Sequence, residues 1–246
     1  MKIKQLMLEN PPVKGEWTKT QLIDYLKAAL LLEYTTIPPY LLAFWSLKRG
    51  SNYNDPGHIY TALRNHIQQE EMLHMGLVCN LIVGLCGTVD LTSPGCHPTY
   101  PTSLVFGPPE QGNESAFLVS LRGYSEEALQ GFLNIEYPKG DLIPIGNDPD
   151  PMAKISGKQL QLAQQNADTI GEFYEIIKEA FKELFDNKLI KELNPENQLE
   201  HFFDKKKITR LSKIQTKQDV INAIDLITRQ GEGAEGSLID TGPDDL

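Results

Sequence analysis

With 246 residues, 40% apolar and 23% charged, the chain can close a sizeable core as one large domain or two small ones. A net charge of −10 and a pI near 5.0 argue against nucleic acid or an anionic membrane as the main partner. Three cysteines, Cys79, Cys86 and Cys96, form no CxxC pair, which argues against a disulfide framework and a zinc ribbon.

The N-terminus, MKIKQLMLENPPVKGEW, contains no apolar run, so no signal peptide is expected; with reduced thiols this fits a cytoplasmic protein. The first predicted helix runs from about Thr18 to Lys48. Thr18 followed by Gln21 reads as a capping box, and Pro38 and Pro39 are expected to kink or split the helix. Its oily stretch, residues 28–45, is too interrupted by Glu33 and the prolines to span a membrane. The second helix is predicted from about Gly57 to Val83, closing at Gly84 or Gly87. Cys79 and Cys86, seven apart, read as small core residues. Residues 88–123 are rich in proline, glycine and serine and are expected to form a crossover or a lid, with a short strand in Phe117 to Leu121. A shorter third helix is predicted from the cap Ser125 to Tyr137, where Pro138 stops it. The fourth runs from about Lys158 to Phe185, with Phe173, Ile177, Phe181 and Leu184 as its apolar stripe.

After Asn194 the pattern changes. Gln218 to Gln230 reads as a small helix with Val220, Ile221, Ile224 and Ile227 apolar, followed by an acidic, glycine-rich tail expected to be flexible. The expected organisation is a bundle over 1–194 and a C-terminal helical appendage with its tail over 195–246, within one domain. Strand signals are sparse, so the class is all-α.

Chemistry enters through charged residues on oily stripes. Leu63, Ile67, Val78, Leu81 and Ile82 define the inner face of the second helix, and Glu71 and His74 fall within it; Glu70 and His66 lie toward its edge. Residues three apart share one side of a helix. A buried carboxylate must be neutralised, paired or bound to a metal, and no lysine or arginine shares that stripe. Glu33 lies among Leu26, Leu30 and Ile37, and Glu136 follows Leu129 and Phe132 on the third helix. Glu172 sits at the margin of the fourth helix's stripe, and Glu175, three later, projects further out. Glutamates from separate helices with a Glu-x-x-His pair are the ligand pattern of di-iron and di-manganese carboxylate bundles, a ferritin-like four-helix fold with a long crossover here between helices two and three. Such an oxygen-rich set with one imidazole suits iron, with manganese as the alternative. The competing reading makes Glu33, Glu71 and Glu136 core acids satisfied by backbone groups and by tyrosine hydroxyls; Tyr34, Tyr137 and Tyr174 each sit next to a candidate acid in sequence. His97, on a loop, is expected at the surface or as a lid contact; His58 and His201 are expected in solvent.

The blocks LLLEYTTIPPYLLAFWSL, IQQEEMLHMGLVCNLI, GYSEEALQGFLNIEYP, TIGEFYEIIKEAF and ITRQGEG resemble the ferritin-like domain of the iminophenyl-pyruvate dimer synthase family, over about residues 18–235. That resemblance implies a metal site built from Glu33, Glu71, His74, Glu136 and Glu172, most simply with two iron ions, and an oxidoreductase acting on a small organic substrate such as an aryl-pyruvate imine or a related amino-acid derivative. It also implies a further helix carrying a histidine beyond Gly231 to Gly233. The sequence ends at Leu246, so that ligand is expected either to be missing or to be supplied by Glu175 or Glu232. Two other classes stay open: an iron-binding or storage protein without an organic substrate, and a metal-free helical partner-binding module. The expected partners are a small molecule and a second copy in a homodimer, with no nucleic acid and no membrane.

Overall fold

The computed structural model describes residues 6–7, 9–48, 59, 63–64, 69–93, 96–103, 118–135, 170–200 and 211–230. Among these lie five helices: α1 (Lys19–Ser46), α2 (Gln69–Gly84), α3 (Glu126–Ile135), α4 (Ile170–Asp186) and α5 (Lys217–Arg229). The connection from α2 to α3 contains a short antiparallel pair, β1 (Thr102–Ser103) and β2 (Leu118–Val119), with Thr102 opposite Val119. The expected strand within 117–121 is therefore present, reduced to two residues.

α1 begins where Thr18 Oγ1 accepts the Gln21 N–H at 3.1 Å. Only that half of the expected capping box forms. The Gln21 side-chain amide donates instead to the carbonyls of Asn10 and Pro11, at 3.4 and 3.0 Å, fastening the N-terminal segment to the helix. Of the two outcomes expected at Pro38 and Pro39, a kink or a split, the split does not occur; one helix continues through both. Pro39 has no N–H for the Thr35 carbonyl one turn back. The Tyr100 hydroxyl donates to that carbonyl at 2.6 Å, so a side chain from the β1 region supplies the bond that proline removes.

α2 is buried on every side rather than along one stripe. Gly76, Leu77, Val78, Cys79, Asn80, Leu81 and Ile82 are buried in succession, the mark of a central helix. Asn80 is satisfied there: its amide donates to the Leu199 and Ser212 carbonyls at 2.9 and 3.2 Å and its oxygen accepts from Leu199 N at 2.6 Å. The predicted start near Gly57 and the edge residue His66 lie outside the described residues. α2 ends in a Schellman arrangement, with Gly87 N donating to Ile82 O at 2.9 Å and Cys86 N to Val83 O at 2.8 Å. Cys86 takes the left-handed position (φ 58°) and is exposed, so it is not the core residue that the sequence spacing suggested. Gly87 is needed for close approach, since a Cβ there would sit 2.9 Å from Ile82 Cγ2. Cys79 is buried as expected, and burial pushes its thiol up to about 11.

α1 packs chiefly along α2 and also meets α3 and α4, while α5 lies mainly on α4. Tyr40 on α1 meets Phe132 on α3 with ring centroids 4.4 Å apart. Tyr25 on α1 stacks on Phe173 of α4 at 5.8 Å. The Glu183 carboxylate of α4 also accepts from Gly15 N and Trp17 N, at 2.7 and 3.0 Å. The predicted stripe Phe173, Ile177, Phe181 and Leu184 is wholly buried. The predicted beginning of the fourth helix and the loop before it lie outside the described residues.

α5 starts with the capping box that α1 lacks: Thr216 Oγ1 accepts from Asp219 N at 3.1 Å, and Asp219 Oδ2 accepts from Thr216 N at 2.8 Å. Val220, Ala223, Ile224 and Ile227 are its buried face; Ile221, expected there, is half-buried. Lys178 to Asp225 (3.0 Å) and Lys217 to Asp186 (2.6 Å) hold α5 on α4. No helix among the described residues is long and apolar enough to cross a membrane. The tail expected to be flexible, 231–246, is outside the described set.

Candidate metal centre

Helical periodicity turns three of the predicted ligands inward, and the packing of α1 on α2 brings them together. Glu33, Glu71 and His74 are 0%, 3% and 1% exposed. One potential ligand atom from each lies within 4.8 Å of the others. Two donors about 2.0–2.2 Å from a first-row ion such as zinc sit at most about 4.4 Å apart, so a small inward shift closes the outer limit.

Each carboxylate is steered by a hydroxyl. The Tyr174 phenol, from α4, donates to Glu33 Oε1. Thr36, one turn beyond Glu33, lies 2.5 Å from Glu71 Oε2 and 2.8 Å from the Glu33 carbonyl. Its single proton serves one acceptor at a time, and an ionised carboxylate is the stronger. The competing reading of satisfied core acids is thus met in part, through Tyr174. The other oxygen, Glu33 Oε2, faces His74 Nδ1 at 3.7 Å, longer than a hydrogen bond, in a pocket closed to solvent. That pairing is the separation expected of two ligands on one ion.

His74 reaches the other way as well. Its Nε2 lies 3.3 Å from Gln230 Oε1, at the C-cap of α5, and Gln230 Nε2 donates to Glu70 Oε1 at 3.4 Å. Burial holds the imidazole down at about 4, with the Gln230 contact opposing it. His74 is therefore neutral at pH 7, the state in which imidazole binds metal. The donor set, two carboxylates and a neutral imidazole in a dry interior, fits iron or manganese.

Glu136 lies outside the described residues, as do Glu232, His58 and His201. Glu172 is half-buried on the first turn of α4 and is not one of the three converging residues. Glu175 is engaged elsewhere: Lys178 Nζ lies 2.5 Å from its Oε1 and bridges on to Asp225. His97 is exposed, with Nε2 2.8 Å from the Leu91 carbonyl. Two contributors escaped the sequence reading. Thr36 had a usable signal, because it shares the inner stripe with Glu33 three residues on. Gln230 had only its place in the ITRQGEG block, since nothing local to it points to His74, 156 positions away.

Nothing matches this chain among curated proteins or among solved structures. A family model described as Ferritin-like matches residues 26–245, a span that contains α1 from Leu26 onward, the later described helices and the three converging residues. The chain therefore belongs to the Ferritin-like family.

Proposed function

We propose that this chain is a metal-dependent oxidoreductase of the di-iron carboxylate type, related to the iminophenyl-pyruvate dimer synthases, acting on a small organic substrate such as an aryl-pyruvate imine or a related amino-acid derivative. The observation that carries this reading is the convergence of Glu33, Glu71 and His74 in a sealed interior, with Glu33 Oε2 and His74 Nδ1 facing across 3.7 Å. Two buried carboxylates and a neutral imidazole on one side of a closed interior are the donor set that a bound cation would balance. Di-metal bundles add glutamates from further helices, and Glu136 and Glu172 are the residues proposed to complete a second ion's ligands. When bound, the ions would supply one-electron and dioxygen chemistry, with iron preferred and manganese as the alternative. The protein's own share is to hold Glu33 through Tyr174, to hold Glu71 through Thr36, to keep His74 neutral and to exclude water. A homodimer in the cytoplasm is the proposed form.

The test has two parts. Protein purified without a metal-affinity tag and crystallised is measured for anomalous scattering at the iron and manganese edges; density between Glu33 Oε2 and His74 Nδ1 supports the metal centre, and its absence after soaking in both metals ends it. Dioxygen uptake by the iron-loaded protein is then followed with an aryl-pyruvate imine. Uptake above the substrate-free rate supports the oxidoreductase. Iron that is taken up and oxidised without any effect of substrate, in a large hollow assembly on size-exclusion chromatography, would instead support storage.

A further inference from the structure

The contact between α5 and the metal centre runs through one side chain whose orientation decides the chemistry of another. Glu70 can only accept when ionised, so the amide nitrogen of Gln230 must face it, at 3.4 Å. The Gln230 oxygen then faces His74 Nε2 at 3.3 Å. An oxygen accepts a hydrogen bond and does not donate one, so Nε2 must carry the ring proton. The lone pair is left on Nδ1, the atom directed at Glu33 Oε2. With the amide reversed, its NH2 would face Nε2, the proton would move to Nδ1, and an N–H···carboxylate bond to Glu33 would close the space where a metal binds.

We infer that Gln230, oriented by Glu70, is a positioning residue that locks His74 as the Nε2–H tautomer and so presents Nδ1 to the metal. The C-terminal segment is thereby part of the centre rather than an ornament on the bundle. Its fastening is consistent with that task. The capping box at Thr216 fixes the start of α5, Lys178–Asp225 and Lys217–Asp186 hold it on α4, and the Gln230 N–H bonds back to the Leu226 and Ile227 carbonyls at 3.2 and 3.3 Å. An outer partner that orients a metal-binding histidine and sets its tautomer is a general device, and its loss costs about 10- to 100-fold in metal affinity or activity.

The metal-binding consequence rests on the function proposed above, but the tautomer does not, and the two are read separately. Long-range proton–nitrogen NMR on the metal-free chain reports which nitrogen of His74 is protonated. The parent is expected to show Nε2–H. Gln230→Leu is expected to shift His74 toward Nδ1–H and, in Mn(II) and Fe(II) titrations, to weaken binding by about 10- to 100-fold. Should Gln230→Leu fail to fold, Glu70→Gln makes the same test, because an amide beside Gln230 no longer dictates its orientation. The double variant Glu70→Gln/Gln230→Glu exchanges amide and carboxylate, keeps the net charge, and again sets an acceptor against Nε2–H; it is expected to restore both the tautomer and the affinity. An Nδ1–H parent, or a tautomer unchanged in the single variants, overturns the inference. So does metal affinity unchanged in Gln230→Leu while the parent binds tightly. A parent with Nε2–H, a tautomer that responds to the variants and no metal binding at all would sustain the positioning role and remove the proposed function instead.

Discussion

Glu33 places its two oxygens in different surroundings: Oε1 receives the Tyr174 phenol, and Oε2 faces His74 Nδ1. Tyr174→Phe removes the donor and leaves the buried oxygen behind. A loss of about 1–3 kcal/mol is expected for the metal-free protein, read from urea unfolding. His74 gives a pH dependence of definite sign. In the unfolded chain a histidine takes up its proton near pH 6.5, whereas burial holds His74 at about 4. Between those values the unfolded state binds the extra proton, so stability is full above pH 6.5 and is lost as the pH falls toward 4. The gap corresponds to about 3 kcal/mol. Among the described residues, the acids facing the ring are Glu33 from α1 and Glu71 on its own helix, with Glu70 one step removed through Gln230. Urea melts of metal-free protein at pH 7 and pH 5, against a His74→Asn control, check this. The parent should lose more stability than the control on acidification; equal losses would place the titration elsewhere.

At the scale of elements, α1 survives two consecutive prolines because a distant tyrosine completes its backbone. Tyr100→Phe should cost about 1–3 kcal/mol, since the Thr35 carbonyl is left without the donor that Pro39 cannot provide. In a Pro39→Ala background an N–H is again available to that carbonyl, so the same tyrosine change should cost less. A double-mutant cycle by urea unfolding measures the difference, expected within the range of about 0.5–3 kcal/mol seen for residues sharing one network. Strictly additive costs would mean that the hydroxyl does not replace the missing amide.

At the scale of the whole molecule, four of the described helices meet at the centre: α1 brings Glu33, α2 brings Glu71 and His74, α4 brings Tyr174, and α5 ends on Gln230. A ligand bound there ties those helices together and should raise the stability of the entire fold. Free Fe(II) or Mn(II) at a hundredfold its Kd is expected to add about 2.7 kcal/mol to the parent. Glu71→Gln and His74→Ala should show little of that gain. Anaerobic thermal scans with and without metal make the comparison, and a metal-induced shift of equal size in parent and variants would locate binding away from this centre.

The sequence by itself determined which residues face inward. The 3.6-residue repeat and the stripes around Glu33, Glu71, His74 and Phe173 are local properties, and burial follows them closely. Local properties do not report what stands opposite. The enclosure of α2 on all sides, the rescue of the Thr35 carbonyl by Tyr100, the Tyr174–Glu33 bond across 141 positions and the Gln230–His74 contact across 156 arise only when helices pack. The linear chain therefore declared that acids and a histidine sit in an apolar interior. Only the tertiary structure decided which oxygen is taken by a hydroxyl and which nitrogen is turned toward Glu33, because hydrogen-bond partners are chosen by proximity in space and not along the chain.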